Sequence, residues 1–472
     1  MKSKNISIAN ASLCVLILSS TCQATTGYFA LGYGPKSVGM AGATVAAPQD
    51  AMAAATNPAG MGLIGERVDL SLRIFSPIRE AALDPRVAGG SFEVRDKSSR
   101  NYFFIPGGGF SRRINDQFSW GVTLYANGGM NTRYRRNIYD ETAAVLGAAA
   151  FGGRAAAATV PEGTKTGTPD TAQLGVDLGQ AIIAPTLAYQ LHPNHTLGLS
   201  VLLSTQYFKA YGLGNFQCFT NTGATQNPAA CSPGGFGPLT PGFVPSENLT
   251  NKGYDWAFGI GARLGWIGQI HPMITLGLSG ATRIYMTKFD KYKELFAEQG
   301  SFDIPANIAA GIAFRPIDNF LISFDYQRIF YSDVKAVGNP GPVPSRFGPS
   351  IPQGAGLLGS DNGLGFGWED INVYRIGLQF QVNQHWTVRA GYSYNDSPIP
   401  PNQLLFNIIS LAVNQHHATT GFTYSPNDNI EWNFAYMHAF NETINTATTA
   451  FGVPGSIKMR QNSLEFGFSW KF

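Results

Sequence analysis

The last eleven residues, Asn462-Ser463-Leu464-Glu465-Phe466-Gly467-Phe468-Ser469-Trp470-Lys471-Phe472, decide the fold. Side chains alternate across a strand with period two, so Leu464, Phe466, Phe468, Trp470 and Phe472 share one face. Ser463, Glu465, Gly467, Ser469 and Lys471 share the other. An apolar-aromatic face opposite a charged one, running to a terminal aromatic residue, fits a strand with lipid on one side and a polar lumen on the other.

The opposite end supports an exported chain. Lys2 and Lys4 form a basic head, Ala11 to Leu18 is a short apolar run, and Ser19 to Ala24 ends it in small residues. This is the layout of a secretory signal, too short for a spanning helix. Cleavage after Ala24 leaves Thr25 first; lipidation at Cys22 is the alternative, but Ser19-Ser20-Thr21 lacks the usual aliphatic residue. Beyond residue 24 no stretch reaches the roughly 20 apolar residues of a membrane helix. Charged residues are only 13% and aromatics reach 12%, which argues against a large soluble enzyme. The net charge of +3 is too small to indicate a nucleic-acid partner.

From residue 66 onward the chain reads as about fourteen extended segments: 66–79, 99–114, 116–127, 179–193, 195–210, 252–269, 271–287, 302–316, 318–334, 370–383, 385–396, 416–426, 428–442 and 459–472. Tight turns carrying Pro, Asn and Asp alternate with long links, as in a barrel that faces the periplasm on one side and the exterior on the other. The expected fold is therefore all-β, a transmembrane antiparallel barrel in a Gram-negative outer membrane. Its divisions are a signal at 1–24, an internal N-terminal segment at 25–64, and the barrel with long external loops at 65–472.

Phase sorts the charges. An Arg or Lys facing mid-bilayer lipid costs about 2–4 kcal/mol. Arg263, Arg283, Asp325, Arg375, Arg389, Glu431 and Glu465 are therefore expected to point into the lumen, where charges pair. Arg328 falls on the lipid phase and requires a place near a membrane rim. Cys218 and Cys231 remain after signal cleavage, in a loop-like stretch without further ligands for a metal. In an oxidising compartment they are expected to pair.

The stretch from Thr25 to Leu63 is rich in small residues and shows no alternation, and a fourteen-stranded barrel is wide enough to need filling. Gly27 to Gly62, with GYGPKSVGMAGA, Asp50 and Asn57-Pro58-Ala59, resembles the N-terminal hatch of the FadL/TodX-type outer-membrane transporters. Val388 to Pro400 and Phe434 to Phe440 resemble that family's penultimate strands. The resemblance implies a monomeric barrel plugged by a hatch, taking up hydrophobic compounds, long-chain fatty acids foremost, with aromatic or alkane hydrocarbons as the alternative. It further implies capture in an external groove, an internal site beside Tyr28, Phe29 and Leu31, and sideways release into the outer leaflet at a kink in the third strand. That role falls on Asn127, Gly128 and Gly129, with Asn57, Pro58 and Ala59 packed beside the kink. Glycines next to Asn permit a bulge, although the same residues also suit the turn that leaves the strand.

Candidate groove residues are Phe216, Phe219, Phe236, Leu239 and Phe243 in one loop and Leu295 and Phe296 in another. In the second loop the spacing of Tyr292, Leu295 and Phe296 reads as a short amphipathic helix. Another short helix is expected over 143–158. Lys288, Lys291 and Lys293 stand where lipopolysaccharide phosphates or a ligand carboxylate would lie. The partners are then a hydrophobic ligand and outer-membrane lipid with its lipopolysaccharide. No cofactor is expected.

Competing classes fare worse. An outer-membrane hydrolase needs a nucleophile and base at the outer rim. His192, His195, His271 and His385 lie at periplasmic turns, His416 and His417 face opposite ways, and His438 sits on the lipid phase. A general porin has no use for the N-terminal segment.

Overall fold

The computed structural model describes residues 25–90, 92–146, 173–231, 242–345 and 348–472; the expected signal lies outside them. Fourteen strands form the wall. They are β1 (Arg67–Leu83), β2 (Phe103–Arg113), β3 (Phe118–Asn131), β4 (Gly175–His192), β5 (His195–Tyr211), β6 (Asp255–His271), β7 (Ile274–Ala281), β8 (Asn307–Ile317), β9 (Phe320–Ile329), β10 (Ile371–Gln381), β11 (Trp386–Asn395), β12 (His416–Tyr424), β13 (Ile430–Thr446) and β14 (Gly455–Lys471). Each pairs antiparallel with its neighbours in sequence, and β14 closes the ring against β1 from Arg67↔Lys471 to Leu83↔Gly455. Closure leaves no free sheet edge around most of the wall, which a bilayer requires.

The closing strand shows why the alternation matters. Leu464, Phe466 and Trp470 are exposed on its outer face, while Ser463, Glu465 and Ser469 are buried inside. Short turns at one end are built from side-chain caps. The Oδ1 atoms of Asn115, Asn383 and Asn427 each accept from two backbone N–H groups just downstream. These are Asx turns, and they place that end at the periplasm.

Residues 25–64 are almost entirely buried. The single helical turn Pro35–Gly39 packs against β12 and β13, and the 3₁₀ turn Pro58–Gly62 packs mainly against β4, β5 and β6, with Met61 also meeting β3 at Gly121. Those strands lie on opposite sides of the ring, so the segment crosses the lumen. Having little regular structure, it has backbone groups that must find partners elsewhere. Lumenal side chains supply them. Asp325 accepts from Val45 N (2.8 Å), Asp69 from Ala51 N (2.8 Å) and Thr419 from Ala41 N (3.0 Å). Arg73 donates to Gly32 O (2.7 Å), and Arg263 to Ala54 O (3.2 Å) and Ala55 O.

The remaining inner charges pair with one another. Glu431 meets Lys36, Arg67 (2.9 Å) and Lys471 (2.7 Å), and Arg73 meets Glu465 (2.7 Å). Arg375 and Arg389 are buried and donate to Gln327, Gln379 and Thr423. Arg283 departs from the expectation of a lumenal charge. β7 ends at Ala281, and the irregular residues 282–284 reverse the phase, so Ile284 is buried and Tyr285 is 65% exposed. Arg283 therefore lies at the outer rim, donating to Asp333 O and 3.9 Å from Asp303. Burial raises the carboxyl of Asp303 above the usual carboxylate range, opposed by the Met286 N–H and Arg283. Arg328 is also at the outer rim, bound to Asp370 at 3.1 Å.

Candidate functional site

The wall is not uniform beside β3. Its pairing with β2 begins at Arg113↔Ser119 and stops at Gly108↔Leu124. Beyond that point β2 continues to Phe103 paired with β1 alone, and β3 continues to Asn131 paired with β4 alone. The alternation of exposure also ends there. Every residue from Tyr125 to Asn131 is buried, and the register against β4 slips between Ala126 and Gly128. A bulge at Asn127 thus turns the outer half of β3 into the barrel and opens a gap beside β2. Asn127, Gly128 and Gly129 lie within the strand rather than in a turn after it.

The N-terminal segment occupies the exposed edge. Phe29 bridges Gly128, Ala30 N donates to Asn127 O (3.0 Å), and Gly129 N donates to Tyr28 O (3.2 Å). Gly128 permits this approach, because a Cβ there would stand 1.7 Å from Tyr28 O. Leu31 joins Phe75, Phe103, Ile105 and Ala126 in the apolar cluster on the inner side of the gap. Above the gap, Arg79 donates to the carbonyls of Asn131 and Arg100, and Ser99 N donates to Arg133 O (2.8 Å). These groups satisfy carbonyls that lost their strand partners.

Tyr28 is fully buried in an aromatic box. Its ring centroid lies 5.5 Å from Phe29, 6.2 Å from Phe302, 5.2 Å from Tyr331 and 5.8 Å from Trp368. Tyr331 Oη accepts from Tyr28 N (3.1 Å) and donates to Thr26 O (2.7 Å), and Trp368 Nε1 donates to Asn407 Oδ1 (2.6 Å). A line of amides backs the box, from Asn127 to Gln180 (3.0 Å) to Gln206 (3.1 Å) to Phe302 O (2.8 Å). Phe302, Tyr331 and Trp368 escaped the sequence reading. Phe302 and Tyr331 fall at the ends of segments read as strands, 302–316 and 318–334, whereas β8 starts at Asn307 and β9 ends at Ile329, and Trp368 lies in the loop before β10.

Asn57-Pro58-Ala59 is not beside the gap. Asn57 Nδ2 donates to the carbonyls of Val45 (2.9 Å), Trp266 (3.1 Å) and Leu278 (3.3 Å), and its Oδ1 accepts from Ala59 N (3.1 Å). The tripeptide is therefore docked on β5, β6 and β7. Inward glycines make room, since a Cβ at Gly265 would lie 1.9 Å from Asn57 Oδ1 and one at Gly198 would lie 2.2 Å from Pro58 C. The stretch that meets the bent strand is Tyr28-Phe29-Ala30.

Among the expected groove residues, Phe216, Leu295 and Phe296 come together with Phe208 and Phe406. Phe216 lies 4.9 Å from Phe406, and Phe208 lies 4.7 Å from Phe296. Phe219 packs at the margin, Phe243 lies outside the cluster, and Phe236 and Leu239 fall outside the described residues. The free space here is about 30 Å³. An apolar cavity of roughly 150 Å³ holds one benzene, so this seam is closed by mutual packing. It leads inward, because Phe296 is 4.9 Å from Phe302, which touches Tyr28. No amphipathic helix forms over 288–301. Asp290–Tyr292 is a single 3₁₀ turn, and Glu298 and Gln299 take positive φ, because burial of both Tyr292 and Phe296 against Phe208 bends the chain. Residues 138–146 are helical; the rest of the helix expected over 143–158 lies outside the described residues. Cys218 and Cys231 are joined by a disulfide.

A fourteen-stranded antiparallel barrel with short Asn-capped turns at one end, long loops at the other and a buried segment crossing its lumen is the architecture of a plugged outer-membrane barrel. The profile of the outer membrane protein transport family (OMPP1/FadL/TodX) matches residues 16–148 and 155–470, and the chain belongs to that family. It is an outer-membrane transporter of hydrophobic compounds and not an enzyme. Its fold is similar to that of the toluene transporter TodX of P. putida, with TM-score 0.63 and 18% identity over 94% of this chain and 99% of that one. It is also similar to a Pseudomonas aeruginosa FadL homologue, with TM-score 0.61 and 14% identity over 94% and 100%. The toluene transporter TbuX of Ralstonia pickettii gives TM-score 0.58 and 19% identity over 94% and 99%. No curated protein matches the chain in sequence.

Proposed function

We propose that the transporter carries small apolar molecules, monoaromatic hydrocarbons foremost, from the outer loops to the outer leaflet through the gap between β2 and β3. The observation behind this reading is the parting of β3 from β2 after Leu124, with Tyr28-Phe29-Ala30 on the exposed edge. Ligand parts the seam at Phe216, Leu295 and Phe296, passes Phe302 into the box around Tyr28, and leaves sideways once residues 28–30 shift. Residues 25–64 serve as the plug that makes passage selective. Physical chemistry favours the sideways exit, because delivery to an aqueous periplasm re-exposes apolar surface at about 0.8 kcal/mol per CH₂.

The aromatic box supports a ligand without a headgroup. Its described lining is Phe29, Phe302, Tyr331 and Trp368, with neutral amides behind. Two of the similar structures are toluene transporters, which accords with this choice. Long-chain fatty acid is the second reading, favoured by the exposed Lys288, Lys291 and Lys293 beside the outer loops. Uptake of radiolabelled toluene and oleate by a deletion strain complemented with this chain separates them. Toluene uptake restored without oleate uptake is expected; the reverse overturns the aromatic assignment.

A further inference from the structure

The outer ends of β4, β5 and β6 carry a group of charges that the proposed route for an uncharged aromatic does not use. Tyr207, Lys209 and Tyr211 of β5 point outward, level with Tyr254 and Trp256 at the start of β6 and with Asp177 of β4. Arg100, from the segment above the β2–β3 gap, donates to Asp177 Oδ2 at 2.8 Å, and Tyr254 Oη donates to the same oxygen at 2.8 Å. Lys209 Nζ lies over the rings of Tyr211 (5.6 Å) and Tyr254 (5.4 Å), with no carboxylate within ion-pair distance among the described residues. Lys291 Nζ donates to Tyr254 O at 2.6 Å, and Lys252 is exposed beside them.

Five cations (Arg100, Arg133, Lys209, Lys252, Lys291) thus meet three carboxylates, Asp177, Asp255 and the exposed Asp290, and five minus three leaves a surplus of two. Asp177 is already occupied by Arg100 and Tyr254, and Asp255 accepts from the Lys291 backbone. Directly below lie Trp256, Phe258, Ile260 and Leu203, exposed at 37%, 60%, 58% and 44%, on the lipid band. Cations above an aromatic ledge above an apolar strip is the order of headgroup, interface and acyl chain at a membrane surface.

From this stacking we propose that the rim over β4–β6 binds the phosphorylated glycolipid of the outer leaflet. Its phosphates rest on Lys209, Lys252, Lys291 and Arg100, and an acyl chain lies along Phe258 and Ile260. Lys209 is the central residue, since the two rings hold its ammonium in place and leave its free side for an anion. The glycolipid of the outer leaflet is chosen over a soluble phosphate because the site is continuous with the lipid-facing wall.

The test uses the full chain purified in detergent and native mass spectrometry with a defined diphosphorylated lipid A. The variant Arg100→Gln/Lys209→Gln/Lys291→Gln is expected to weaken binding about a hundredfold, each cation near a membrane surface contributing roughly a factor of five. The matched variant Arg112→Gln/Arg113→Gln/Arg315→Gln, at exposed periplasmic-end positions, should bind as the unmodified protein does. Equal loss in both variants overturns the site. A second arm needs no variant. Lipid A stripped of both phosphates should bind the unmodified protein far more weakly, and undiminished binding overturns the proposal. Equal competition by inorganic phosphate alone also overturns it, since the acyl strip would then contribute nothing.

Discussion

Replacing Gly128 with Val tests the docking of the N-terminal segment on the bent strand. Any Cβ at this position stands 1.7 Å from Tyr28 O, a backbone atom that cannot rotate away. Residues 28–30 must leave the strand edge. The move breaks the bonds Ala30 N to Asn127 O and Gly129 N to Tyr28 O, together about 2 kcal/mol. It also draws Tyr28 and Phe29, now 0% and 3% exposed, out of their box, at about 1.5–3 kcal/mol each. The sum of about 5 kcal/mol shifts the docked population by more than three decades. The barrel keeps its own strand ladders, so heat-modifiable mobility should not change. Chymotrypsin on protein in micelles should cut the variant rapidly after Tyr28 or Phe29 and the unmodified protein slowly. Gly280→Ala is the control, because its new Cβ has no neighbour nearer than 3.8 Å. Equal protection of the Gly128→Val and unmodified chains would refute the reasoning.

Three further outcomes follow from the same contacts. Tyr331→Phe removes the bond to Thr26 O and the acceptor for Tyr28 N, leaving a buried N–H unpaired at about 1–3 kcal/mol, and hydrogen exchange of the N-terminal peptide should quicken. Gly265→Ala displaces Asn57 from the carbonyls of Val45, Trp266 and Leu278, about 3 kcal/mol in all, and should lower the melting temperature in detergent without preventing barrel insertion. Cys218→Ser/Cys231→Ser frees a loop closed over 13 residues, a constraint of about 3 kcal/mol, and should reduce uptake at low ligand concentration while leaving barrel mobility unchanged.

The wall was legible because the bilayer imposes a strict rule. Period-two aromatics such as Phe466 and Trp470, and Asn-bearing turns such as the one at Asn383, are local signals. The interior was legible only where a family resemblance reached it. Nothing local states which wall the small-residue segment meets, so Asn57 was expected at the β3 gap and instead docks on β5–β7. A signal existed in the inward glycines Gly198 and Gly265 on adjacent strands, which mark a close backbone approach. Arg283 was misplaced because one irregularity after Ala281 reverses the phase of everything beyond it. The pattern at 288–301 read as helical because burying Tyr292 and Phe296 against Phe208 requires apolar residues four apart without requiring a helix.

The central claim is passage through the wall between β2 and β3, and stitching that gap shut tests it most directly. Ile105 on β2 and Ala126 on β3 belong to the same apolar cluster at the gap. In a Cys218→Ser/Cys231→Ser background, Ile105→Cys/Ala126→Cys joined by oxidation or a short bis-maleimide should reduce toluene uptake to the level of the deletion strain. Reduction of the disulfide form should restore uptake, and ligand binding by the purified barrel should persist throughout. Undiminished uptake with the cross-link fully formed would contradict the account.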